Sequence, residues 1–443
     1  MLGFRRRLAR RWGIPESREP ITVHGPPAPS SPLPERLRVV VWNVQYGAGR
    51  DHLFFYDGGM AVSVPRPTVL LTLERIAERV RSHRPHVVLL QEVDRGSRRT
   101  HFIDQHERLA ALLPELPWHG STPYHRVPYV PTPAHEHLGR VDMHLSVFAR
   151  VPLWGGVRWQ LPLLRESRVR RWFNLRRCLM ELMADTADGP VRLLHTHLSA
   201  FSRGDGTVHR QVAAIKAHIA GGDLPWLLAG DFNALPPGDS IGRLGAEASM
   251  YGDWSPLSSL YASTRPAVTL AQHRDEPERW RTWVPHGGSV PERAIDHAFA
   301  DPALHFTDVR VDRAGETVDV RIDAPESIAR SAHRRVSELR RGLASAGLRL
   351  DGFEAQPRHP EGTPNHAAVR DARRHLGGGQ AGRGVGGRQD ALVVDVTGRW
   401  RARGVGRRRR AGGGLSRHAA SWQATDPGTA DPGTTLSAHC RAR

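Results

Sequence analysis

Five stretches of the chain share one pattern: an apolar, largely β-branched run that ends in a polar side chain. They are Leu37-Arg38-Val39-Val40-Val41-Trp42-Asn43-Val44-Gln45, His86-Val87-Val88-Leu89-Leu90-Gln91-Glu92-Val93-Asp94, Val191-Arg192-Leu193-Leu194-His195-Thr196-His197-Leu198, Trp226-Leu227-Leu228-Ala229-Gly230-Asp231-Phe232-Asn233-Ala234 and Arg293-Ala294-Ile295-Asp296-His297-Ala298-Phe299. Runs of this kind read as buried strands. Helical spacing appears between them. Val69, Leu70, Leu73, Ile76, Ala77 and Val80 recur at i, i+3/i+4, i+7 until Pro85 stops them, and Val208, Val212, Ile215 and Ile219 do the same. A shorter helix is expected from His106 to Leu113, and a strand and turn from Met143 to Leu153. The rest of 101–140 reads as a Pro/His/Tyr-rich loop, whose His119, His125, His135 and His137 lack a metal-selecting spacing and read as solvated. Strands and helices alternating with short joints make an α/β arrangement.

The strand ends carry the chemistry. Asp231 and Asn233 stand two apart, which in a strand places them side by side. A carboxylate and an amide so held suit a hard cation and a phosphate-bound water, although Gly-Asp and Asn are ordinary turn residues too. His195 and His197 could start a zinc site, but no third ligand follows at a usual spacing. Arg170-Arg171 and Arg176-Arg177 flank Trp172-Phe173-Asn174-Leu175. They read as a solvated basic rim in preference to a phosphate-facing patch.

Composition narrows the partners. The chain has 443 residues, 39 % of them hydrophobic, and a net charge of +18. Much of that charge is terminal: residues 397–443 hold ten arginines against two aspartates, and residues 1–36 seven arginines against three acids. The body between is close to neutral for its size, so the overall charge is weak support for nucleic-acid binding. Two cysteines make no disulfide framework. No apolar run reaches the 18 or so residues of a membrane span, and the arginine-rich start lacks the apolar region of a signal peptide. A cytoplasmic location is therefore expected, with no stable protein partner.

In order, the strand ends read W-N-V-Q, L-L-Q-E-V-D, H-T-H-L, G-D-F-N-A and A-I-D-H-A-F. This series resembles the endonuclease/exonuclease/phosphatase superfamily of metal-dependent phosphoesterases over roughly residues 37–310. The resemblance implies a DNase I-like α/β fold, a four-layer sandwich of two packed β-sheets flanked by helices. It implies hydrolysis of a phosphoester by in-line attack of water, with Mg²⁺ as cofactor and Mn²⁺ the alternative. Glu92 matches the metal-binding glutamate and Asn43 the amide beside it. Asp231 and Asn233 match the pair that orients the water, His197 the phosphate-contacting histidine, and Asp296 the aspartate that orients a closing histidine.

That closing Ser-Asp-His is missing. Ser331-Ala332-His333 lacks the Asp, Pro364-Asn365-His366 keeps a histidine but comes late, and Asp390-Ala391-Leu392-Val393-Val394-Asp395-Val396 looks like the closing strand with Gln389 where the histidine should stand. Local pattern favours His366. The expected organisation is a flexible lead-in (1–36), the phosphoesterase-like domain (37–319), an atypical closing region or insertion (320–396), a misread segment within 320–388 being the other account of it, and an Arg/Gly-rich tail (397–443). The substrate is left open among lipid, small-molecule and nucleic-acid phosphoesters. The body's modest charge and the aromatic stretches Phe54-Phe55-Tyr56 and Trp172-Phe173 favour the first two. The competing reading is a catalytically degenerate member that binds nucleic acid or an anionic membrane.

Overall fold

The computed structural model describes residues 14–27, 33–49, 52–167, 170–200, 205–251, 254–286, 290–312, 316–324, 348–357 and 387–398. His333, His366 and the 399–443 segment lie outside these residues.

In chain order the strands are β1 (Arg18–Pro20), β2 (Val23–His24), β3 (Leu37–Asn43), β4 (Val87–Asp94), β5 (Trp118–Val130) and β6 (Gly139–Ala149). There follow β7 (Leu153–Gln160), β8 (Cys178–Thr186), β9 (Gly189–His197), β10 (Trp226–Asp231), β11 (Arg265–Pro266) and β12 (Trp283–Pro285). The last six are β13 (Asp296–Ala300), β14 (Leu304–Asp312), β15 (Glu316–Ala324), β16 (Leu348–Pro357), β17 (Gly387–Gln389) and β18 (Ala391–Gly398). Two seven-stranded mixed sheets result, ordered β1-β7-β8-β9-β10-β13-β11 and β14-β18-β3-β4-β6-β5-β2.

Each sheet has one parallel pair at its centre, β9 with β10 and β3 with β4, while every other pairing within the two sheets is antiparallel. These central strands are covered on both faces, which is why they read as unbroken apolar runs. Along β10, Leu227 and Ala229 join the core shared by the two sheets, with Val39, Val41, Leu89, Val147 and Leu193. Trp226 and Leu228 turn the other way, onto Val208, Val212 and Ile215 of the Thr207–Ala220 helix. The Arg66–His83 helix buries Val69, Leu73, Ile76, Ala77 and Val80, as its periodicity predicts, and ends where Arg84 adopts φ 48° before Pro85.

Two expectations need correction. The lead-in is not flexible throughout: β1 pairs with β7 and β2 with β5, and Ile14 and Ile21 are buried. The supposed loop after residue 116 contains β5, so His119 and His125 are strand residues, half-buried, while His135 and His137 are exposed. Pro123 concealed this strand. It sits at a register shift between Pro123 and His125, one of the few places a sheet tolerates proline. The closing strand expected at 390–396 is present as β18, paired with β3 through Leu392↔Val41 and with Asp395 bonded to Arg38 Nε at 2.8 Å.

Candidate active site

The two parallel pairs face each other and end together. Asn43 and Glu92 lie at the carboxyl ends of β3 and β4, and His197 and Asp231 at those of β9 and β10. Carboxyl ends of parallel strands are where backbone direction leaves room for a ligand. Here they border a cleft of about 130 Å³ lined by Asn43, Glu92, Arg177, His197, Asp231, Asn233 and Gln389 among others.

The close contacts make one network. Asn43 Nδ2 donates to Glu92 Oε1 and to Asp231 Oδ2, both at 3.0 Å, and Asn43 Oδ1 accepts from the Gln45 amide at 3.0 Å. Asn43 thus ties the two carboxylates together across the sheets. His197 Nε2 lies 3.4 Å from Asp231 Oδ2 and 3.9 Å from Glu92 Oε1. The Tyr124 hydroxyl lies 3.2 Å from Nδ1, and donation there places the proton of the neutral ring on Nε2. Burial, reinforced by Arg177 and His195, drops the His197 pKa well below its ordinary value, so the ring is neutral at pH 7. Burial raises Glu92 and Asp231 above the usual carboxylate range, Asn43 opposing it at Glu92 and Gln389 and Asn43 at Asp231.

Local backbone explains why the motifs have their residues. Gly230 is required by close approach: a Cβ there would sit 1.9 Å from the Thr196 carbonyl oxygen on the adjacent β9. Asn233 does not share a strand face with Asp231, as alternation predicts, because β10 ends at Asp231. Instead Asn233 turns back at φ 47°, so its amide donates to Asp231 Oδ1 at 2.9 Å and its side chain to Leu198 O at 3.1 Å. Glu92 too has φ 58°, where the β4–β6 register slips between Leu90 and Val93. Such conformations cost energy and cluster where side chains must be aimed. Its side chain is 20 % exposed, towards the cleft.

Asp296 sits at the start of β13, directly opposite Asp231. Both its carboxylate oxygens are buried, with the Thr282 side chain beside them. Burial, and then the charge of Asp231, push its pKa well above the ordinary value. The residue beside this pair is Gln389, whose Nε2 donates to Asp231 Oδ2 at 2.7 Å. His366, the closing group favoured by local pattern, lies outside the described residues.

The rim expectation holds for the exposed Arg170 and Arg171 but not for Arg177. It is 4 % exposed, stacks over the Tyr124 ring at 5.0 Å and has Nε and Nη1 buried without a hydrogen-bond partner. Nothing local distinguishes it from Arg176 in sequence. Tyr124 was equally hidden, within the unrecognised β5. The opposite wall carries Tyr251, Trp283 and Arg293, with Arg293 over the Trp283 ring at 4.0 Å. Of the aromatic stretches, Phe54 belongs to the core and Tyr56 lines the cleft. His195, on the same face as His197, is buried between the sheets with Nε2 2.6 Å from Gln91 Nε2. Among the described residues no three His, Cys, Asp or Glu side chains gather as a metal cluster. The histidine pair is therefore half core and half site.

None of the curated proteins matches the chain in sequence. The chain is similar to solved structures. An endonuclease/exonuclease/phosphatase from Beutenbergia cavernae is 21 % identical, covering 82 % of this chain and 72 % of its own, with a TM-score of 0.45. The human nocturnin catalytic domain with bound sulfate is 16 % identical over 66 % of this chain and 90 % of its own, TM-score 0.39. A mannosyl-6-phosphatase of Bacteroides thetaiotaomicron is 16 % identical over 62 % and 89 %, TM-score 0.39. The model of the endonuclease/exonuclease/phosphatase family matches residues 40–331, more than half of the chain and all five strand-end motifs. The chain belongs to that family.

Proposed function

We propose that the protein is a Mg²⁺-dependent phosphoesterase that cleaves its substrate by in-line attack of water. The observation that carries this reading is the convergence of Asn43, Glu92, His197, Asp231 and Asn233 on one cleft that Arg177 also lines. Family members typically use a divalent metal. The donor set here fits a hard cation: Glu92 is a partly exposed carboxylate whose direct partner is the neutral Asn43 amide, with no thiolate lining the cleft. Glu92 would hold the ion, and Asn43, which presents its NH₂ to the carboxylates, would fix Glu92 in place. A cation bound there supplies charge to offset that of the non-bridging phosphate oxygens.

The remaining roles follow from what each group can donate or accept. Asp231, held by three donors, accepts the proton of the attacking water. Asn233 shares its turn and aligns that water. Neutral His197 donates from Nε2 to a phosphate oxygen. Arg177, which lines the same cleft, places its positive charge beside that anion, in a site screened from water where charge counts most.

A small or lipid-headgroup phosphoester fits better than duplex nucleic acid, given a cleft of about 130 Å³ walled by Tyr56, Tyr251 and Trp283. In a panel with Mg²⁺, small phosphodiesters and phosphomonoesters are expected to turn over faster than duplex DNA. Preference for DNA, or binding of DNA that weakens steeply with salt and never leads to cleavage, would instead favour the degenerate binding protein. Gln389 at the closing position is the observation behind that second reading.

A further inference from the structure

Gln389 is held more firmly than a substituted position needs to be. It ends β17, paired with Trp283 of β12, and its carbonyl accepts from Trp42 Nε1 at 2.8 Å. The next amide, of Asp390, donates to Thr282 O at 2.7 Å. The side chain, 8 % exposed, then makes the shortest bond that Asp231 receives: 2.7 Å, against 3.0 Å from Asn43 and 2.9 Å from the Asn233 amide. Gln389 Oε1 is buried with no partner. The reverse orientation of the amide would set two acceptors against each other, so the Asp231 carboxylate alone decides which end points inward.

We propose that Gln389 is a positioning residue, an uncharged clamp that fixes the Asp231 carboxylate for its work on the attacking water. The inference rests on the phosphoesterase reading above. Three neutral donors bind Asp231: Asn233 at Oδ1, and Asn43 and Gln389 at Oδ2. With all three in place the carboxylate cannot rotate without breaking a charge-assisted bond inside a low-dielectric site. Losing the Gln389 bond frees one side of the carboxylate and leaves the others intact. The effect therefore falls on the chemical step and not on substrate affinity.

The test uses the full chain with Gln389→Met, which keeps the volume but removes the donor, and Gln389→His, which restores an N–H. Gln389→Met is expected to lower kcat about tenfold or more with KM within about twofold, and Gln389→His to recover part of the loss. A Gln389→Met enzyme with wild-type kcat, or one whose loss lies in KM, overturns the proposal. A second readout needs no turnover: unfolding of Gln389→Met, Asp231→Asn and the double variant. Coupling of at least about fivefold in the unfolding constant is expected for residues in contact, and strict additivity overturns the clamp. If the wild-type chain shows no turnover on any phosphoester, the phosphoesterase reading fails, and the unfolding cycle still decides the clamp by itself.

Discussion

Asp231→Asn is expected to lower kcat by roughly 10³-fold while leaving the fold intact, a loss in the range of a positioned general base. Asparagine matches aspartate in shape, so packing around a residue that is 1 % exposed hardly changes. Two opposing terms decide its stability. Burial already disfavours the charge, which raises the Asp231 pKa, so neutralising it relieves a penalty. The new NH₂ must meet a donor, since Asn233 N, Asn43 Nδ2 and Gln389 Nε2 all point at these oxygens. The terms are of similar size, and the melting temperature should move by only a few degrees. Turnover near the wild-type rate would remove Asp231 from the chemistry.

Arg177→Met should split activity from stability. The guanidinium holds no ion-pair partner among the described residues, yet is almost fully buried with Nε and Nη1 unbonded. A charge left in that state destabilises the free protein by several kcal/mol before compensation. Stacking on Tyr124 offsets about 2 kcal/mol of this at most. Replacement by methionine should therefore leave the unfolding midpoint unchanged or higher. Without that positive charge lining the proposed phosphate site, kcat/KM should fall roughly 10²-fold. A variant that keeps its activity, or one that unfolds markedly earlier, would show that Arg177 serves the core.

Asn43, Glu92, His197, Asp231 and Asp296 could be read from the sequence for one physical reason. Strands covered on both faces must be apolar along their length, so a polar residue closing such a run marks where the strand leaves the core. Where that logic lapses, so did the reading. Strand β5 is interrupted by Pro123 and studded with histidines, and Tyr124 disappeared with it. The burial of Arg177 depends on Tyr124, a distant part of the chain, and no local pattern encodes it. Asn233 was placed beside Asp231 by a strand geometry it does not have; a turn at positive φ brings it there. The closing strand at 391–398 was legible from its apolar run. Gln389 was legible as the residue before that strand, but its bond to Asp231 was not.

The most direct measurement is hydrolysis of a simple phosphodiester by the purified full chain, with Mg²⁺ and then with EDTA, beside Glu92→Gln. Turnover that EDTA abolishes, that added Mg²⁺ restores and that Glu92→Gln lacks is the predicted result. Hydrolysis that persists in EDTA, or that Glu92→Gln retains, would contradict the account of this site.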